Sequence, residues 1–121
     1  AITDRFGYNL SRHIEDIRPL YRINLTCPGS VPEALVAFLD SENFEDAIRN
    51  AVSLGGDADT QAAISGSIAE AFYGHIPASI LQEIATRLNS GFKETLLRFY
   101  QKFGTPLMIE QARQVAHGSA D

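Results

Sequence analysis

The sequence predicts an all-α protein, and three observations carry that prediction. Apolar residues recur at helical spacing in successive segments from Ser30 onward. Capping residues, prolines and glycines punctuate those segments. No stretch alternates apolar and polar side chains long enough to make a strand. With 121 residues, 45% hydrophobic and 21% charged, the chain has globular composition and enough length for one domain with a modest core.

Residues 1–30 are the least regular, because Gly7, Pro19 and the Cys27-Pro28-Gly29-Ser30 turn interrupt any long element. A short helix over Ser11–Ile17 ends before Pro19. Ser30-Val31-Pro32-Glu33 has capping-box spacing, with Glu33 reaching back to the cap amide and Pro32 in the first turn. Ala34, Leu35, Ala37, Phe38 and Leu39 then form an apolar face as far as Asp40. Ser41 is the expected cap of the next helix, whose Phe44, Ala47, Ile48, Ala51 and Val52 follow the amphipathic rule. Glu42, Glu45 and Asp46 near its start and Arg49 later complement the helix dipole.

Gly55-Gly56 supplies the backbone freedom to end that helix and turn. A thin third helix runs from about Thr60 to Phe72 on Ala62, Ala63, Gly66, Ala69 and Ala71, and Gly74 ends it. Gly66 costs about 1 kcal/mol relative to Ala there, which close packing or proximity to a site would offset. Pro77 opens a fourth helix with Ile80, Leu81, Ile84, Ala85 and Leu88 inward, and Gly91 is expected to break it. A fifth presents Phe92, Leu96, Phe99, Tyr100 and Phe103, read as core, and stops at Gly104. After Pro106 a sixth uses Met108, Ala112, Val115 and Ala116, and the tail Gly118-Ser119-Ala120-Asp121 is expected to fray.

Ten basic and fifteen acidic side chains give a formal charge of -5, and no basic stripe accompanies the aromatics, so nucleic acid is not an expected partner. No apolar run approaches the roughly 18 residues of a membrane span. The single cysteine, Cys27, excludes an internal disulfide, and Ala1–Arg5 lacks signal-peptide architecture; a cytoplasmic protein is the expectation.

Chemistry concentrates in Leu54-Gly55-Gly56-Asp57-Ala58-Asp59-Thr60. Two carboxylates one residue apart, then a hydroxyl at a helix start, are hard oxygen donors of the kind Mg²⁺ or Mn²⁺ takes. Three donors do not fill an octahedral shell, so water, substrate or other protein must supply the rest. Two readings stand side by side at this point. Asp59 or Thr60 is an ordinary N-cap with Asp57 a turn residue, or the glycine turn aims both carboxylates at one ion. A calcium loop is excluded, since no twelve-residue acidic loop with a terminal Glu follows. His75 reads first as exposed or locally hydrogen-bonded and second as a site contact, His13 as a helix-surface residue, and Cys27 lacks a base partner for nucleophilic work.

With those residues in view, the chain resembles the C-terminal part of ADP-ribosylglycohydrolases related to dinitrogenase reductase-activating glycohydrolase. The matching words are Gly55-Gly56-Asp57-Ala58-Asp59-Thr60, Ala62-Ala63-Ile64-Ser65-Gly66 and Ala69-Glu70-Ala71-Phe72-Tyr73-Gly74. Ser30-Val31-Pro32-Glu33-Ala34, Phe44-Glu45-Asp46-Ala47-Ile48-Arg49 and Phe6-Gly7-Tyr8-Asn9-Leu10 support them. The resemblance implies a multi-helix orthogonal bundle and a binuclear Mg²⁺ or Mn²⁺ centre that releases ADP-ribose from modified substrates. It implies Asp57, Asp59 and Thr60 as metal ligands, with Asp59 touching both ions. Gly55 and Gly56 would set the turn, and Ser30 would line the ribose or phosphate side. The family's Thr-Asp-Asp motif, its acidic residue near the glycosidic bond and its Gly-rich phosphate loop have no counterpart in this sequence, so no catalytic residue is assigned. The expectation is a single partial domain over residues 1–121, inactive alone, that self-associates or takes a complementary N-terminal chain. The alternatives are a non-catalytic interaction module and an ADP-ribose-binding remnant.

Overall fold

The structure, a computed structural model, describes residues 1–118 and is all-α: among them are eight helices and no strand. The helices are α1 (Ile2–Phe6), α2 (Ile14–Ile17), α3 (Cys27–Leu39), α4 (Phe44–Ser53), α5 (Ala58–Tyr73), α6 (Ala78–Arg87), α7 (Ser90–Phe103) and α8 (Pro106–His117). They fall into two compact units, Ala1–Tyr73 and Gly74–Asp121.

In the first unit α3, α4 and α5 pack on one another, with α2 against α3. Ile14, Ile17, Val36, Ala37, Ala51 and Leu54 form the core cluster, and Leu10, Tyr21 and Ala62 close over it. The small residues of α5 allow the close approach expected of them. A Cβ on Gly66 would stand 2.6 Å from Ile48 Cδ1, so the cost of this glycine is offset by contact with α4.

Two helix starts differ from the sequence reading. α3 begins at Cys27 with Thr26 as its N-cap, because the amides of Gly29 and Ser30 both donate to the Thr26 carbonyl. Ser30 and Glu33 therefore form no capping box: the Ser30 hydroxyl donates to the Asn24 carbonyl at 2.6 Å, and Glu33 pairs with Arg12. Pro32 falls inside the helix, where it lacks the amide that would have bonded back one turn. Ser41 does not cap α4 either. Its hydroxyl donates to the Phe38 carbonyl at the end of α3, and Asn43 caps α4 by accepting from the Asp46 amide at 2.9 Å. Within α4 the apolar face holds, with Phe44, Ala47 and Ala51 buried, although Val52 is exposed.

In the second unit α8 packs against α6 and α7, burying Leu81, Ala85, Ala112 and Val115. Gly91 does not end α6, which stops at Arg87. Asn89 caps α7 by accepting from Phe92, which puts Gly91 in the first turn of that helix, where its lower propensity matters little. The aromatic series of α7 is not core. Phe92, Phe99 and Phe103 are 63%, 55% and 67% exposed, and no residue of α7 is buried. The expected fraying of the tail concerns, from residue 119 on, positions outside the described residues. No helix among the described residues is long and apolar enough to cross a membrane.

Candidate metal centre

The turn from α4 to α5 is built by its two glycines for different reasons. Gly55 sits in the left-handed region at φ 72° with open space around its Cα, so it supplies conformation. Gly56 supplies room: a Cβ there would overlap the Tyr21 ring at Cε1. The Gly56 carbonyl accepts from the Ala58 amide at 2.9 Å, and the Asp57 carbonyl accepts from the Gln61 amide at 2.9 Å, the first bond of α5. The helix thus opens at Asp57. Asp59 and Thr60 lie two and three residues further into it, so neither is the N-cap.

The side chains of this turn face water, Asp57 half-buried and Asp59 and Thr60 exposed. The Asp57 carboxyl reaches that of Asp59 at hydrogen-bonding distance. That contact, followed by the amides of Thr60 and Asp59, holds the Asp59 carboxyl below its ordinary value of 3.8. Two carboxylates this close repel unless a proton or a cation stands between them. The donor set, two converging carboxylates with a neighbouring hydroxyl, therefore fits part of the shell of a hard divalent ion. It fits only part: among the described residues no three His, Cys, Asp or Glu side chains come together as a metal cluster.

Behind the turn stands Tyr21, a residue the sequence reading left in an irregular stretch. Its hydroxyl donates to the Gly29 carbonyl at 2.9 Å and accepts from Gln61 Nε2 at 2.8 Å. Gln61 is completely buried, and its Oε1 has no partner among the described residues. The second glycine was the available signal, since one left-handed residue suffices for the turn and the other implies something pressed against it.

Ser30 is buried at 3% exposure and braces the Asn24 turn through its hydroxyl. Next to it a cavity of about 600 Å³ is lined by Arg12, Tyr21, Asn24, Pro28, Gly29 and Glu33 among others. Arg12 and Glu33 form a bidentate pair at 3.1 and 2.7 Å on its wall, a second feature absent from the sequence reading. His13 precedes α2 and reaches Asp40 Oδ1 at 3.0 Å, while Asp40 Oδ2 accepts the Ile14 amide at 2.7 Å. His75, in the second unit, is exposed with Nδ1 3.4 Å from Gln111 Nε2, the local contact expected of it. Cys27 is exposed in the first turn of α3.

A family model described as ADP-ribosylglycohydrolase matches residues 10–112, a span that contains α2 to α7, the glycine turn and most of α8. The chain belongs to the ADP-ribosylglycohydrolase family. No match was found among curated proteins or among solved structures. For an ADP-ribosylglycohydrolase chain the all-helical fold is the expected one, and the matched span includes every residue assigned to the turn.

Proposed function

We propose that this chain supplies the metal-ligating part of a divalent-metal-dependent ADP-ribosylglycohydrolase, a hydrolase that cleaves the glycosidic bond of ADP-ribosylated substrates. The observation that carries the reading is the convergence of the Asp57 and Asp59 carboxylates at the opening of α5. Asp57, Asp59 and Thr60 would hold Mg²⁺ or Mn²⁺, as the family resemblance implies, and Gly55 and Gly56 shape the turn. When bound, the ions supply Lewis-acid binding of ribose hydroxyls and of a water. The chain's own contribution is placement: the turn fixes two carboxylates together, and Ser30 steadies the wall beside the cavity. With two carboxylates and a hydroxyl, the site needs further ligands from substrate, water or another polypeptide segment, so the chain alone is an incomplete catalyst.

Calorimetric titration with Mn²⁺, and then with ADP-ribose in its presence, tests this. Saturable ADP-ribose binding that needs Mn²⁺ and disappears in Asp57→Asn/Asp59→Asn supports the reading; equal binding by that variant refutes it. ADP-ribose binding without turnover under any complementation favours a binding remnant.

A second reading is an interaction module, and the exposed Phe92, Phe99 and Phe103 favour it. A concentration-independent monomer in light scattering would set it aside.

A further inference from the structure

We infer that Tyr21 is a positioning residue for the ion-binding turn, holding the Asp57–Thr60 segment in the geometry that lets its two carboxylates share a cation. This deepens the functional reading above and rests on it.

From within, the backbone of the turn is held by the Ala58–Gly56 and Gln61–Asp57 bonds, and side chains add little. Gly55 and Gly56 carry no side chains, and the Asp59 and Thr60 side chains face water. Left to its own bonds, such a segment samples many backbone states, and each displaces one carboxylate from the other. Tyr21 meets the segment and its surroundings at three points. Its ring fills the space where Gly56 has no Cβ. Its hydroxyl accepts from Gln61, one residue beyond Thr60 and fully buried in α5. The same hydroxyl donates its single proton to Gly29 in the first turn of α3.

One rigid ring with two rotatable bonds thus ties the start of α3, the glycine turn and the start of α5 together. Tyr21 is itself anchored, its amide donating to the Ile17 carbonyl at 2.9 Å and its ring packed on the Ile14, Ile17 and Val36 cluster. The hydroxyl serves Gly29 as donor and Gln61 as acceptor, and the ring to which it is fixed is what ties both partners to the glycine turn. Tyr21 is not offered as a ligand: its proton is engaged, and burial, the leading influence on it, favours the neutral phenol. Outer partners of this kind typically govern metal affinity by about 10- to 100-fold.

The test compares wild type, Tyr21→Phe, Gly56→Ala and Asp57→Asn/Asp59→Asn as full chains, by two readouts. The first is amide exchange without metal. In Tyr21→Phe the Ala58 and Gln61 amides should exchange about tenfold faster, the loss expected from one buried hydrogen bond, while the Ala51 amide in α4 keeps its wild-type rate. The second is Mn²⁺ affinity from the free-ion electron paramagnetic resonance signal, which should weaken by about tenfold or more in Tyr21→Phe and in Gly56→Ala. Unchanged exchange at Ala58 and Gln61, or uniformly faster exchange including Ala51, overturns the inference. So does wild-type Mn²⁺ affinity in Tyr21→Phe. If wild type binds no more Mn²⁺ than Asp57→Asn/Asp59→Asn, the metal reading itself fails and Tyr21 is reduced to a structural clamp.

Discussion

Replacing Arg12 by Ala should be one of the most damaging single changes in the first unit. Arg12 donates to both oxygens of Glu33, at 3.1 Å from Nη1 and 2.7 Å from Nη2, across a sequence separation of 21 residues. The Glu33 side chain is only 10% exposed, whereas Arg12 is 33% exposed. Removal of the guanidinium strands a nearly buried carboxylate, a lesion worth about 3–5 kcal/mol when both partners are fully enclosed. Water reaches Arg12, so part of that penalty is screened, and about 2–3 kcal/mol is the fitting range. With a urea slope of roughly 1–2 kcal/mol per molar for a chain this small, the midpoint should fall by about 1–3 M. Urea titration followed by far-ultraviolet circular dichroism reads this directly. Arg12→Met/Glu33→Leu should recover most of the loss, because the apolar pair leaves no charge behind. An Arg12→Ala midpoint within about 0.3 M of wild type would refute the assignment of Glu33 as a buried, Arg12-dependent carboxylate.

The same glycine-to-alanine change should have different outcomes at two positions. Gly55→Ala should cost about 1–2 kcal/mol, since the site is open but its φ is 72°, while Gly66→Ala should be close to neutral in urea titrations. At Gly66 a helical gain of about 1 kcal/mol is offset by displacing Ile48 Cδ1. Asn43→Ala removes the α4 cap and should destabilise by about 1 kcal/mol in the same assay, and Asn43→Asp should be tolerated. Burial raises the Tyr21 phenol above its ordinary value of 10.0. Above pH 10 the unfolded chain therefore loses this proton first and the native state binds more protons, so stability falls as pH rises through that range. Thermal melts from pH 9 to 11 should show a shallower decline in Tyr21→Phe, and equal slopes would contradict the burial of the phenol.

Helix periodicity and turn residues made most of the fold legible. Phe44, Ala47 and Ala51 are buried as their spacing predicts, and Gly55, Gly74, Pro77 and Pro106 stand at element boundaries. Boundaries failed where a plausible local signal lost to a longer-range partner. Glu33 has the spacing to cap its own helix, yet Arg12 lies across from it and offers two charged bonds instead of one. Gly91 reads as a breaker until Asn89 is seen to start a helix just before it. The aromatic stripe of α7 has the period of a buried face, but periodicity states only that the face is apolar, not that anything covers it. At the candidate site the ligand residues were visible as neighbours in sequence. Tyr21 was not, because its contacts with Gly29, Gly56 and Gln61 join positions 8 to 40 residues apart.

The central claim is that the opening of α5 binds a divalent ion through Asp57 and Asp59. Paramagnetic broadening by substoichiometric Mn²⁺ in the amide spectrum of the labelled chain tests it residue by residue. The account predicts early loss of the Asp57, Ala58, Asp59, Thr60 and Gln61 signals, abolished in Asp57→Asn/Asp59→Asn. Broadening centred instead on the acidic start of α4, at Glu42, Glu45 and Asp46, or its persistence at α5 in the double variant, would contradict it.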